Sequence, residues 1–558
     1  MNAAVRNEKL LYGWRDPVQP QPAATVILLR DGADGLEILM TRRSTEASFA
    51  PGAYVFPGGR VDQADRTLAR EILMSGSTAG TTNEEQITDT SFAVAAIRES
   101  FEELGILLAT NANGQYPDSA LVATMDRSHD ASFAKQLADN TLRADVDAVQ
   151  WFSHWITDRD LPRRFDTRFY VARMPDGQHP VADEAEQFEP VWVNPARGLA
   201  SHEAGQFDMI FPTIRTLRQL TAFQSADELI QHCRGDRTMW VSSPRGGYLK
   251  GDVARYSENE MPFGELELVT PDGQVEHTLD WQHDAVPLLR NVIRLTAPNP
   301  GRMTGPGTNT YIVGEPGNYV VIDPGPNDAG HIRKIADIVG SDLTQIICTH
   351  SHPDHYPGAK PLRELLGNSS IPILGRPSGP NFNPAWQFEP DILLEDGNLV
   401  PCGGHSTLQA LHTPGHASNH VCLLLVEDGL LFSGDHILNG STTVIDHPDG
   451  NMLDYMNALN RLSQEALSYI LPAHGYVIAS PYAEIDRLIK HRLKRESKVV
   501  TALSQASGGT LDDLVVIAYD DVDVTLHPVA KRSLSAHLAK LVQEGRARQT
   551  TDRWHVSK

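Results

Sequence analysis

At 558 residues the chain has room for roughly three or four separately folding domains, and 41% hydrophobic with 21% charged residues is ordinary for globular protein. A formal net charge of −23 argues against a protein built mainly to coat nucleic acid, and no apolar run approaches the ~18 residues of a membrane span. Cys233, Cys348, Cys402 and Cys422 are scattered without CxxC spacing. That pattern suggests neither a disulfide framework nor a cysteine zinc knuckle, and with an N-terminus lacking a secretory apolar core it predicts a reducing, cytoplasmic setting with no membrane partner.

Residues 1–22 are mostly polar and end in Pro17-Val-Gln-Pro20-Gln-Pro22, which predicts an arm or linker. Ala23–Arg30 and Leu36–Arg42 read as two strands around the turn Asp31-Gly-Ala-Asp-Gly35, and Tyr54-Val-Phe-Pro-Gly58-Gly59 as a strand running into a glycine turn. From Ser91 onward, apolar residues at 94, 97, 101 and 104 recur at helical spacing, with Gly105 as a natural stop. Glu99, Glu102 and Glu103 fall on one face of that helix. Clustered carboxylates repel one another unless something positive sits among them. All-oxygen ligands suit Mg²⁺ or Mn²⁺ bridging to substrate phosphates, and a solvated acidic face is the alternative.

The phrase Arg98-Glu99-x-x-Glu102-Glu103-x-Gly105, preceded by Pro57-Gly58-Gly59, resembles the Nudix box. The stretches Phe56–Asp62 and Arg163–Tyr170 resemble its coenzyme A diphosphatase branch, over residues 23–225. The resemblance implies an α/β/α sandwich that cleaves the pyrophosphate of a coenzyme A-type or other nucleoside diphosphate derivative. It implies catalytic and Mg²⁺- or Mn²⁺-binding roles for Glu99, Glu102 and Glu103, and substrate contacts from Gly58, Gly59 and Arg98. Two departures stand out: a polar insertion around Ser75–Thr82, and Thr90 where the box expects a glutamate, eight positions before Arg98. Trp151–Thr157 and Arg168–Ala172 read as core strands, and Glu184 and Glu186 as either a further ligand or a surface turn. Residues 226–285 carry no motif and are expected to form a connector.

The strongest stretch follows the apolar run Ile346-Ile347-Cys348: His350-x-His352-x-Asp354-His355, four metal-competent residues within six positions of a strand-end loop. Further histidines and an aspartate follow at loops beside Gly or Pro: Thr413-Pro-Gly-His416, Ser433-Gly-Asp435 and Ala473-His474-Gly. In this order the elements resemble the metallo-β-lactamase superfamily. The stretches Asn299–Gly301, Gly307–Gly314 and Val321–Gly325 resemble its β-lactamase-like protein two branch, whose members include carrier-protein thioesterases and single-strand endoribonucleases. The resemblance implies an αβ/βα sandwich over 286–485 with two zinc ions. His350, His352 and His416 would hold one, Asp354, His355 and His474 the other, and Asp435 would bridge them, with Asp354 and Asp435 catalytic. His412, His420 and His436 are surplus to that set.

Residues 486–558 contain two helical patterns, Leu511–Tyr519 and Val529–Val542, and a strand-turn-strand ending, a layout similar to the winged helix of the same branch. From Arg487 onward 13 Lys/Arg face 8 Asp/Glu, so the tail is either a basic grip on RNA or a packed cap, the cap being favoured. The whole reads as a multidomain α+β and α/β metal-dependent hydrolase acting on a small molecule, an ester, thioester or phosphodiester at the second site and a pyrophosphate at the first. Both sites acting on their own substrates is the leading reading. A Nudix-like half that only binds, or an endoribonuclease using the winged helix, are the alternatives.

Overall fold

The computed structural model describes residues 7–46, 50–76, 83–129, 131–184, 187–235, 239–281 and 284–557. Most of the polar insertion after Gly76, and Glu186, therefore lie outside the described residues. The chain forms two compact units, Val18–Pro244 and Met1–Pro17 with Arg245–Lys558.

The first unit is built on an eight-stranded sheet in which Gln21–Gly32 is central, pairing in parallel with Phe165–Arg173 and antiparallel with Gly35–Arg43. The predicted hairpin around Asp31–Gly35 is present, with Gly32 opposite Gly35. One face buries the helices Gln63–Gly76 and Glu84–Leu104 through Val26, Leu28, Leu39, Val94, Ile97 and Phe101. The other packs Ile27, Leu29, Ile38 and Val171 against the helices Phe211–Leu220 and Ala226–Arg234. The alternation along Gln21–Gly32 sends successive side chains to opposite cores. The result is the expected α/β/α sandwich. Trp155 and Phe152 are buried in it, and Gly58–Arg60 pairs back onto Ala23–Thr25.

The second unit holds a seven-stranded and a five-stranded sheet. Between them lies a core that draws Val313, Val320, Ile322 and Ile347 from one sheet and Leu408, Leu423, Leu430 and Phe432 from the other. Outside the first sheet pack the helices Ala329–Val339 and Ala359–Leu365, and outside the second Met452–Leu462 and Pro481–Gln505. These are the four layers of an αβ/βα sandwich. Residues 7–12, expected as part of a free arm, belong to this unit instead: Leu10 joins the inter-sheet core, and the buried Lys9 ammonium ion-pairs with the fully buried Asp428. The expected connector likewise divides, since Ala226–Arg234 packs in the first unit whereas Phe263–Val269 packs in the second. The helix Pro481–Gln505 runs unbroken through residues 485 and 486 into the C-terminal module. There Val499 and Leu503 meet Leu514, Leu534, Leu538 and Leu541 of the helices Leu511–Ala518 and His527–Gln543, followed by the hairpin Ala547–Thr550 and Arg553–Val556.

Candidate metal centres

In the second unit, five strands end at one edge and each delivers a polar loop. Asn318–Ile322 leads to Asp323, Leu343–Ile347 to the histidine-rich loop, Thr407–His412 to His416, Leu430–Gly434 to Asp435, and Tyr469–Pro472 to His474. The loops gather the side chains into two groups, one of His350, His352, His416 and Asp435 and one of Asp354, His355 and His474. Ligand atoms within each group lie within 4.8 Å of one another. His352 Nδ1 stands 2.9 Å from both His350 Nε2 and His416 Nε2. Asp354 Oδ2 lies 3.3 Å from His355 Nε2 and 3.4 Å from His474 Nε2. Asp435 reaches both groups, with Oδ2 3.6 Å from His416 Nε2 and 3.5 Å from His355 Nε2, and Oδ1 3.2 Å from His474 Nε2.

The donor chemistry fits divalent cations. Burial and neighbouring imidazoles hold His350 well below its ordinary pKa and His352 down to about 3, and burial lowers His416 too. Each of these shifts favours the neutral ring, the form that ligates a metal. In the second group burial is overridden by the carboxylates: Asp354 and Asp435 raise His355, and Asp435 with Asp354 raises His474 to about 10. A cation shared with those carboxylates replaces such protons. His355 Nε2 and Asp435 Oδ1 are buried without a well-formed hydrogen bond, which leaves both free to act as ligand atoms.

Around the ligands a further layer fixes four of the five rings by their other nitrogen. His355 Nδ1 meets Asp323 Oδ2 at 2.9 Å, His350 Nδ1 meets Thr349 Oγ1 at 3.0 Å, His416 Nδ1 meets the Val444 carbonyl at 2.7 Å and His474 Nδ1 meets the Gly307 carbonyl at 3.1 Å. Thr308 Oγ1 donates to Asp354 Oδ2 at 2.9 Å. Among the surplus histidines, His420 takes such a supporting place, with Nε2 accepting from the Asp435 backbone N–H at 3.2 Å and Nδ1 on Thr413 Oγ1 at 2.9 Å. His436 is buried against Tyr455, and His412 lies half-buried beside the Ser418 carbonyl. Sequence reasoning assigned no role to Asp323 or Thr308; both sit in quoted motifs, so position beside a strand end was the available signal.

In the first unit the guanidinium of Arg98 supplies the positive group that the glutamates need. Its Nη1 donates to Glu99 Oε1 at 2.7 Å and Glu102 Oε2 at 3.0 Å, and its Nη2 to the Arg60 carbonyl at 2.8 Å. Two further bonds of 3.0 Å go to Asp65, which stands six residues after Gly59, ahead of the insertion. Thr90 leaves no gap in the box, because Asp65 supplies the carboxylate that counting back from Arg98 could not find. Glu99 and Glu102 each keep one oxygen outside the reach of Arg98, a pair suited to a hard cation that completes its shell with waters and phosphate. Burial pushes Glu99 up to about 7. Glu103 is placed differently: both its oxygens are taken, accepting from Gly58 N at 3.0 Å and Gln187 Nε2 at 3.1 Å, and burial pushes it up to about 8. A Cβ at Gly59 would lie 2.3 Å from Glu99 Oε1, so any larger residue there would push the Glu99 carboxylate from its place on Arg98. Glu184 lies in the turn before Gln187–Val193 with φ +60. Among the described residues, no ligand group comparable to the two in the second unit forms here.

Comparison with known proteins matches segments of both units. The family model "Metallo-beta-lactamase superfamily" matches residues 303–478, "Beta-lactamase associated winged helix domain" residues 510–554, and "NUDT19 Nudix domain" residues 70–220. The Beta-lactamase-like protein 2 homolog of Drosophila melanogaster is 32% identical over 272 residues, covering 47% of this chain and 91% of that protein. The chain belongs to the metallo-beta-lactamase superfamily. This superfamily member is also 32% identical over 241 residues to an Atrochrysone carboxyl ACP thioesterase of Cryptosporiopsis sp. (strain 8999), covering 42% of this chain and 69% of that one. A solved NUDIX hydrolase from Alicyclobacillus acidocaldarius aligns with 26% identity over 40% of this chain and 98% of that one, at a TM-score of 0.33. The metallo-beta-lactamase member described here is thus a metal-dependent hydrolase that carries a Nudix domain and a C-terminal winged helix. None of its described helices is long and apolar enough to cross a membrane.

Proposed function

We propose that the second unit hydrolyses a small ester or thioester at a pair of zinc ions, and that the first cleaves the pyrophosphate of a coenzyme A-type or other nucleoside diphosphate derivative. The observation that carries the first half is Asp435, whose two oxygens face the two ligand groups. His350, His352 and His416 would hold one ion, Asp354, His355 and His474 the other, with Asp435 between them. Two such ions, when bound, supply Lewis acidity and make water a nucleophile near neutral pH. Asp435 sets the separation of the groups, and its backbone is pinned by His420. Asp354, steadied by Thr308 at Oδ2, faces the same space, and its neighbouring imidazoles keep it ionised, the form that holds a cation. Phe382 and Trp386 stand beside the ring of His352, centroids 5.5 and 6.4 Å away, and offer an apolar wall for an acyl group. The thioesterase among the relatives supports a thioester, and cleavage of a coenzyme A derivative in the other unit would suit the same metabolite class.

In the first unit Glu99 and Glu102 would hold Mg²⁺ or Mn²⁺ against the diphosphate, while Glu103 shapes the Gly58–Gly59 turn rather than ligating. A small molecule is favoured over RNA because five cations of the tail are engaged in ion pairs with the chain's own carboxylates. Arg495 and Lys498 pair with Asp520 and Asp521, Lys540 and Arg546 with Glu496, and Arg487 with Glu484. The test is a panel of acyl-coenzyme A esters, nucleoside diphosphate derivatives and single-stranded RNA, with elemental analysis. Thioester cleavage lost in Asp435→Ala and diphosphate cleavage lost in Glu102→Gln is the expected pattern. A protein that holds no transition metal, or that cuts only RNA, would overturn it.

A further inference from the structure

The helix Pro481–Gln505 passes behind His416, and Arg492 on it is buried. Its Nη2 donates to the Thr443 carbonyl at 2.6 Å. The next residue, Val444, accepts His416 Nδ1 at 2.7 Å, and Thr443 Oγ1 lies 3.1 Å from the same nitrogen. The guanidinium also stands 5.3 Å from the ring centre of Tyr455. The Tyr455 backbone abuts Gly415 so closely that a Cβ there would lie 2.4 Å from Tyr455 Cα, and Gly415 has φ +142. Arg492 therefore backs both segments that aim His416, the Thr443–Val444 carbonyls and the Gly415 turn. A second anchor comes from the C-terminal module: Arg532 pairs with Asp446 at 2.6 Å, two residues beyond Val444, and Ala536 joins the core around Tyr455 and Leu459.

Among the described residues Arg492 has no carboxylate partner within ion-pair distance, and its Nε makes no hydrogen bond. A buried guanidinium without an anion costs several kcal/mol, and an apolar side chain would serve packing better. Fold maintenance is thus a poor reason for arginine here. Its forked donors do suit the fixing of a carbonyl-lined loop.

We propose that Arg492 is a positioning residue for His416, so that the winged-helix module sets the direction of one metal-binding imidazole. The inference rests on His416 acting as a ligand. It gives the module a task unrelated to nucleic acid, and it predicts that damage to this helix reaches the metal centre before it reaches the fold.

The test uses the full-length protein loaded with zinc or cobalt, with Arg492→Met, Arg492→Lys, Lys540→Met and His416→Ala. Metal retention is measured against a graded chelator, alongside the visible spectrum of the cobalt form. Arg492→Met should weaken one of the two bound ions by about tenfold, the lower end of what losing a direct outer partner costs, since Arg492 reaches His416 through Thr443 and Val444. It should also shift the cobalt spectrum, and Arg492→Lys should restore part of both. Lys540→Met breaks a buried pair with Glu496 inside the module and should lower the melting temperature with metal retention unchanged. Wild-type retention in Arg492→Met, or an equal loss in Lys540→Met, would overturn the proposal. If Arg492→Met does not fold, Thr443→Val and Arg532→Gln decide, with a several-fold loss expected and none refuting it. If His416→Ala retains both ions, the ligand assignment itself falls, a failure distinct from an Arg492 variant that simply behaves as wild type.

Discussion

Asp65 and Arg98 meet through two parallel hydrogen bonds of 3.0 Å although 33 residues separate them in the chain. The fork holds the guanidinium so that its remaining donors reach Glu99, Glu102 and the Arg60 carbonyl. Asp65→Asn keeps the shape but removes the charge, leaving a buried arginine with one counter-charge fewer. We expect a loss of roughly 3 kcal/mol in the stability of the first unit, since breaking a buried pair is strongly destabilising. Diphosphate cleavage should fall with it while thioester cleavage persists. Equal loss of both reactions would contradict the separate placement of the two sites.

Asp323 carries the second prediction. It holds φ +49, a left-handed conformation that aspartate tolerates better than most residues. From there Oδ2 meets His355 Nδ1 at 2.9 Å and Oδ1 accepts the Thr349 N–H at 2.7 Å. Asp323→Asn should cost about tenfold or more in affinity for one of the two ions, measured by chelator competition. Asp323→Ala should lose more, because it adds backbone strain. Unchanged retention in both variants would show that His355 needs no such partner.

The residues legible in the sequence were those whose chemistry is local. His350, His352, Asp354 and His355 announce themselves because one loop holds all four, and His416, Asp435 and His474 because each ends an apolar strand beside Gly or Pro. The glutamates of the helix Glu84–Leu104 share a face by spacing, and the phrase from Arg98 to Gly105 after Pro57-Gly58-Gly59 is what sets them apart from a solvated acidic face. The partners were hidden. Asp65 lies across an insertion from Arg98, so a count along the chain lands on Thr90. Glu103 shares the helical face of Glu99, yet only the fold shows that Gly58 and Gln187 claim its oxygens. Residues 7–12 looked like part of an arm because so short a segment, set in a mostly polar stretch, carries no periodicity that betrays a partner 419 residues away, as Lys9 has in Asp428.

That Lys9–Asp428 pair gives a third test. Asp428 is fully buried, and Lys9 also reaches Ser406 Oγ at 3.2 Å. Lys9→Met strands a carboxylate buried in the turn between Val421–Leu425 and Leu430–Gly434 and should destabilise the second unit by about 3 to 5 kcal/mol. Lys9→Met with Asp428→Leu should recover much of that, because an apolar pair avoids desolvating two charges. Thermal unfolding of the three proteins reads the outcome. A single variant as stable as the wild type would mean that the N-terminal segment only rests on this unit.

The last prediction concerns pH. Glu265 is fully buried and bonded to both guanidinium nitrogens of Arg294, Nη2 at 3.1 Å, and to His277 Nε2 at 2.8 Å. Burial alone would push its carboxyl up, but Arg294 and His277 hold it down to about 2. A carboxyl whose folded pKa lies below its unfolded value stabilises fully above the unfolded value and loses that contribution as pH falls through the folded one. From an ordinary value of about 4.5 the contribution is roughly 3 kcal/mol, present near neutrality and lost between about pH 4.5 and 2. Glu265→Gln removes it at every pH and leaves Arg294 without its anion. The stability gap between wild type and Glu265→Gln, read from denaturant unfolding, should therefore be wide at about pH 6 and narrow steadily below about pH 4.5. A gap that stays constant down to about pH 3 would show that the carboxylate's charge is not what holds Phe263–Val269 against the strand Val292–Thr296.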